Sequence, residues 1–246
     1  MQTEATPPDA RVRRRADRKQ EILRAAREVF SRKSYESASM AEIAAQVGVV
    51  EGAIYRHFPS KRDLLFECIR SYYVPLIERG REELAGIRGT RNRLRFGIWR
   101  QLRSFAENPG FCRLIIEEIR PRSDYHESVV RELNRDLTSM VLETIREGIA
   151  LGELREDVQP ATIRDVVFGG IEHLAWKALS GSAPLQVDRL ADELTDLIWR
   201  GAEVRSADAP GADATVARLE GQVRRLEIAL DSLLGASQIH HPREER

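Results

Sequence analysis

Apolar residues along the chain recur at intervals of three and four from Ile22 almost to the C-terminus, and no run alternates apolar with polar in the manner of a strand. The pattern predicts an all-α protein. Ile22, Ala26, Val29 and Phe30 mark a first helix that starts near Asp17 and ends near Lys33. Ser39 with Glu42 three residues on reads as a capping box, in which each side chain satisfies a backbone N–H at the helix start. The short helix that follows runs through Met40, Ile43, Ala44 and Val47 to a left-handed stop at Gly48, and helical spacing resumes at once with Ala53, Ile54 and Phe58. Ser60 and Asp63 open the next helix in the same way, with Leu64, Leu65, Cys68, Ile69 and Tyr72 on its apolar face.

Later punctuation divides the rest. Thr90 opens a helix through Leu94, Ile98, Trp99, Leu102 and Phe105, which Asn108-Pro109-Gly110 closes. Phe111 to Ile119 form a short apolar segment ended by Pro121, and Asp124 is the expected cap of a long helix through Val130 and Ile149 to Gly152. Pro160 suits a first helical position; the segment from Ala161 to Leu179 is apolar on more than one face, and Asp188 starts another helix through Leu190, Leu194, Leu197 and Ile198.

The expected domains are a disordered basic arm (1–16), a helix-turn-helix unit (17–62), a larger helical body (63–205), a linker rich in Ala, Asp, Gly and Pro (206–213), an amphipathic helix (214–235) and a tail (236–246). In that amphipathic helix Val216, Leu219, Val223, Leu226, Leu230 and Leu233 occupy a and d positions over about two and a half heptads, as a parallel coiled coil would require. A helix docked on its own domain would carry the same stripe.

Net charge is zero, with 39 Lys plus Arg against 39 Asp plus Glu, but it is unevenly spread. Residues 11–62 hold 13 basic and 6 acidic side chains, a surplus of seven, so the remainder is acidic. One part is thus suited to a polyanion and the other is not. No run approaches a membrane span or a signal peptide, so a cytoplasmic protein without membrane contact is expected. Cys68 and Cys112 are too far apart in sequence for a metal or redox motif and read as core residues; His126, His240 and His241 lack ligand companions, so no metal is expected. The chain has none of the glycine-rich phosphate loops, nucleophile elbows or HExxH motifs of common enzymes, and neither an enzyme nor a cofactor is expected.

Two short helices around a tight turn, in a basic segment, form the arrangement whose second helix enters the DNA major groove. Ala53, Ile54 and Phe58 face inward, which leaves Glu51, Gly52, Tyr55, Arg56 and His57 outward. Arg56 can read guanine, Tyr55 can reach a phosphate or a thymine methyl, and Lys61 lies where a phosphate would meet a cation and a helix N-terminus. Ser39 and Met40 begin the first helix of the pair and Val50 the second; Arg13, Arg14 and Arg15 in the arm suit the adjacent minor groove.

The stretch from Arg18 to Ile69, above all MAEIAAQVGVVEGAIYRHFPSKRDLL from Met40 to Leu65, resembles the DNA-binding domain of the TetR family of bacterial transcriptional regulators. The resemblance covers about a fifth of the chain. It implies a three-helix head, a helical ligand-binding body, and a homodimer joined through the segments near Ala161–Leu179 and Asp188–Glu203, binding a palindromic operator that a small molecule makes it release. One departure is Val50, where the family usually has a capping residue; Val cannot cap, at a cost of about 0.5–2 kcal/mol.

Two body stretches, LIIEEIRPRSDYHESVVREL from Leu114 and VVFGGIEHLAW from Val166, resemble segments of TetR-type repressors of fatty-acid metabolism that respond to long-chain acyl-CoA. On that reading Phe96, Trp99, Phe111, Ile115, Ile119, Phe168, Ile171 and Trp176 line an acyl tunnel and Arg103, Arg120 or Arg122 meets phosphates at its mouth. The same apolar residues would serve as core without any ligand. Glu172 with His173 interrupts the apolar helix, as a pair that senses a headgroup or serves as acid and base would, and as a satisfied core contact or a contact to a dimer partner also would. A multidrug-type regulator sensing aromatic or cationic compounds, or a helical scaffold that binds no DNA, are the alternatives. The heptads of 214–235 could raise a dimer to a tetramer.

Overall fold

A computed structural model describes residues 8–180, 184–204 and 223. The linker and the heptads, Val223 apart, lie outside the described residues. The chain divides into a unit of residues 1–203 and a second of 204–246. Among its described residues the first unit consists of helices joined by turns and loops, with one isolated bridge between Leu154 and Glu203.

Helix α1 (Pro8–Arg32) turns Ile22, Leu23, Ala26, Val29 and Phe30 into the core. It starts nine residues before the expected Asp17, so residues 8–16 are not a disordered arm. Pro8 suits a first turn, and the Ala and Arg residues that follow are strong helix formers that need no apolar stripe once α1 provides a nucleus. Helix α2 (Met40–Val47) ends as expected on Gly48 with φ 70°. There the Val49 amide donates to the Ala44 carbonyl at 3.0 Å and the Gly48 amide to that of Ala45 at 3.2 Å, a Schellman closure.

Both capping boxes form only by half. Ser39 Oγ accepts from the Glu42 amide at 3.1 Å, but the Glu42 carboxylate is taken by Lys33 Nζ at 2.7 Å. Ser60 Oγ likewise accepts from the Asp63 amide at 3.1 Å while its hydroxyl donates to the Asp63 carboxylate at 2.7 Å. A nearby cation or hydroxyl outcompetes the backbone N–H for the acid.

Helices α3 (Glu51–Tyr55) and α4 (Lys61–Ala85) complete the head and lead into the body. The body continues with α5 (Thr90–Glu107), α6 (Pro109–Leu114), a π-helical turn (Ile115–Ile119) and a 3₁₀ turn (Tyr125–Glu127). It ends with α7 (Val129–Ala150), α8 (Pro160–Leu179) and α9 (Val187–Ala202). The cap of α7 is Ser128, not Asp124, because Asp124 is engaged by Arg62 and Arg122. No helix among the described residues is long and apolar enough to cross a membrane.

Two clusters make the core. One joins α1 to α4 with Phe111, Leu114, Ile115 and Ile119 and the first half of α7; the other lies among α5, α7, α8 and α9. Each fully buried aliphatic side chain in them stabilises the fold by about 1.5–3 kcal/mol.

Candidate nucleic-acid interface and effector groove

Helix α3 hangs on Ile54 and Phe58, both buried, and its opposite face presents Glu51, Gly52, Tyr55 and Arg56 to solvent. A Cβ added at Gly52 would meet nothing within 4 Å, so a partner can approach this backbone closely. Ser39 is exposed at the head of α2, whereas Met40 is buried in the core and does not offer its side chain to DNA. Its position at a helix start suggested contact; its apolar bulk decides otherwise.

Val50 begins α3 with no side-chain cap and is 75% exposed. It is neither a cap nor a packed anchor. Val50→Ser is therefore expected to stabilise the head by about 0.5–1 kcal/mol without weakening operator binding. Urea denaturation checks it, and a lower midpoint would mean that Val50 packs.

His57 follows α3 beside α1. Burial holds its pKa below the usual 6.5, and the cations Arg15, Arg56, Lys19 and Arg18 push it further down. The exposed Arg15 on helical α1 is thus part of one basic surface with the end of α3; Arg13 is exposed as well, and Arg14 lies on the same helix. Because the folded pKa is depressed, stability contributed by neutral His57 is present above pH 6.5 and is lost as pH falls through the lower folded value. Phosphates of bound DNA favour the imidazolium and should reverse the trend. Operator affinity at constant salt is expected to rise from about pH 8 to about pH 5.5, and His57→Gln should flatten that rise. An unchanged slope in the variant would remove His57 from the interface.

Lys61 is held at the start of α4, with Nζ 4.5 Å from the centroid of the Tyr35 ring and donating to the Glu36 carbonyl at 3.2 Å. It ties α4 to the loop before α2. Tyr35 in turn donates its amide to Glu118 Oε2 of the π turn at 2.6 Å. Arg62 pairs with Asp124, and the Arg122 guanidinium lies 5.9 Å from the Tyr35 ring. Arg122 thus joins head to body and does not stand at a ligand mouth.

Gly110 makes the closest junction. A Cβ there would stand 2.1 Å from the Ser31 carbonyl oxygen in the last turn of α1, so only glycine lets α6 pack so tightly. In sequence Gly110 reads as a helix stop, and nothing sets Tyr35 or Glu118 apart. No spacing rule marks a backbone contact between distant helices.

The residues expected to line one tunnel fall into separate places. Phe111, Ile119 and Ile171 are buried in the two core clusters. Ile115, Arg120 and Glu172 edge a void of about 20 Å³, where Arg120 and Glu172 form an ion pair with each other. Phe168 borders another void of about 10 Å³, and Trp176 is 52% exposed on the outside of α8, beside the exposed His173. A helical spacing of aromatic residues cannot tell a ligand cavity from a packed core or a subunit face.

Phe96, Trp99 and Arg103 do meet, in an open groove of about 470 Å³ between α4 and α5. Arg27 of α1 reaches its edge, and Arg79, Arg100 and Arg103 line it. The Phe96 and Trp99 rings stack with centroids 6.1 Å apart, Arg103 lies 5.1 Å from the Trp99 ring, and Trp99 Nε1 donates to Asp188 Oδ1 at 3.0 Å. Glu83 and Glu107 temper the positive charge through ion pairs to Arg100 and Arg103. Such a surface suits an anionic, partly aromatic ligand.

Comparison with known proteins agrees with this division. Residues 22–68 match the family of bacterial regulatory proteins of the tetR type, and residues 88–202 match the tetracyclin repressor-like C-terminal domain. The fatty acid metabolism regulator protein of Bacillus subtilis is 23% identical over 181 residues, which span 74% of this chain and 93% of that protein. The nucleoid occlusion factor SlmA of Photobacterium profundum is 31% identical over 137 residues, 54% of this chain and 69% of that protein. Among solved structures, the regulator FadR of Bacillus subtilis in complex with stearoyl-CoA superposes with a TM-score of 0.67 at 23% identity, covering 74% of this chain and 98% of that one, a likeness of fold. With a turn-linked helix pair in a basic head, a groove in a helical body and both parts matched in order, the chain belongs to the TetR family of bacterial regulators, as a DNA-binding, effector-responsive transcriptional repressor and not an enzyme.

Proposed function

We propose that this repressor binds a palindromic operator as a homodimer and is released from it by a long-chain acyl-CoA. The groove between α4 and α5 carries the reading, because three body arginines beside a stacked Phe96–Trp99 pair suit the phosphates and adenine of a CoA, over a body whose interior is apolar. The fatty-acid regulator among the relatives and the stearoyl-CoA complex among the solved structures support the same ligand class.

The dimer would form on α8 and α9. Thr162, Val166, Gly169, His173 and Trp176 make an exposed stripe along α8, Leu197 is exposed on α9, and a Cβ at Gly169 or Gly201 would meet nothing within 4 Å. Small and large apolar residues together on one face allow two helices to approach closely across a two-fold axis.

In fluorescence anisotropy on labelled DNA from upstream of its own gene, the expected result is salt-sensitive binding that palmitoyl-CoA reverses and that free palmitate or CoA leaves intact. DNA binding that no acyl-CoA disturbs would keep the regulator and discard the lipid.

A further inference from the structure

Arg100 separates two spaces. On its outer side is the groove between α4 and α5; on its inner side is the void of about 10 Å³ bounded by Gly97, Met140, Val141 and Phe168. Its side chain is only 11% exposed. Nη1 donates to Glu83 Oε2 at 2.5 Å, Nη2 donates to the Leu76 carbonyl, and Nε is buried without a hydrogen-bond partner. The chain threads past Gly80, where a Cβ would lie 2.7 Å from Nε and 3.1 Å from Met140 Sδ.

That arrangement is costly as a purely structural contact. A buried guanidinium with an unsatisfied N–H loses hydration that its remaining bonds do not replace. Burial also makes Arg100 less basic than usual, with Arg79 and Arg103 acting in the same direction against Glu83. A compact anion in the groove would offer a better partner than the exposed Glu83. The inner wall, by contrast, is apolar apart from Gln101 and includes the flexible Met140, so it can yield to an alkyl chain once the plug moves.

We infer that Arg100 is a gate that admits an apolar tail only when an anionic headgroup draws the guanidinium outward. The inference rests on the body being the effector domain and defines the chemistry of the effector, an amphiphile that carries a phosphate-bearing head as well as an alkyl tail. An uncharged apolar molecule offers nothing to replace Glu83 and stays outside. A head without a tail moves the arginine and leaves the interior empty.

The test uses the full-length protein with palmitoyl-CoA and the uncharged fluorescent probe N-phenyl-1-naphthylamine. Wild-type protein should bind palmitoyl-CoA and exclude the probe. Arg100→Met, checked for helical content by circular dichroism, should take up the probe about tenfold more tightly than wild type and lose its preference for palmitoyl-CoA over palmitate. Gly80→Ala, which keeps the arginine but crowds Nε, should admit the probe in the same direction. Equal probe uptake by wild type and Arg100→Met, or exclusion by a folded Arg100→Met, would overturn the gate. Probe entry into Arg100→Met with no palmitoyl-CoA binding to wild type would leave Arg100 a plug and overturn its opening by an acyl-CoA headgroup.

Discussion

Replacing Trp176 and Leu197 together by glutamate is expected to release subunits of 28.0 kDa and to weaken operator binding by about 10²–10⁴-fold. Both side chains are more than half exposed, at 52% and 69%, so the change removes little packing within one chain and helical content should persist. Two like charges on each subunit, placed on a face that meets its own copy, bring four charges together across a two-fold axis, where burial without partners is strongly unfavourable. The loss on DNA follows because each half-site is then bound independently, without the effective concentration that the second head enjoys. Light scattering with anisotropy on the operator checks both parts. A variant that keeps its mass would place the dimer face elsewhere than on α8 and α9.

Gly110→Ala is expected to destabilise the protein by about 1–3 kcal/mol, a large effect for one methyl group. The added Cβ would stand 2.1 Å from a backbone oxygen of Ser31, which cannot rotate away as a side chain can. Either α6 withdraws from α1 or the last turn of α1 shifts, and that turn leads directly into the loop of Tyr35 and the start of α2. Operator affinity should therefore fall beyond what the loss of stability explains. Urea denaturation and operator titration on the same preparation separate the two effects; an unfolding free energy within about 0.5 kcal/mol of wild type would show that the helices slide apart freely.

Much of the head was legible because its signals are local. Gly48 and Gly152 end helices with φ near 70° as their positions predicted, and Ser39 and Ser60 cap as expected. The reciprocal halves of those capping boxes were not legible, since Lys33 and the Ser60 hydroxyl compete for the acids through space. The arm lacks an apolar stripe, yet α1 extends through it, as the helix propensity of its Ala and Arg residues allows. In the body, Phe96, Trp99 and Arg103 share a groove but Phe111, Ile171 and Trp176 do not, although all sit at helical spacing. Burial, groove and subunit face demand the same apolar residues, and the π turn of Ile115–Ile119 has no sequence mark that would set it apart.

The core cluster that joins α1 to α4 with Phe111, Leu114 and the start of α7 bears on how such regulators can be recombined. A chimaera joined near residue 62 would cut through elements that pack against one another, leaving α1 of one parent facing α6 of another. Retargeting this protein to a new operator by exchanging its head is therefore a repacking problem at the α1–α6 contact, and donors with glycine opposite their own Ser31 position are the ones to try first.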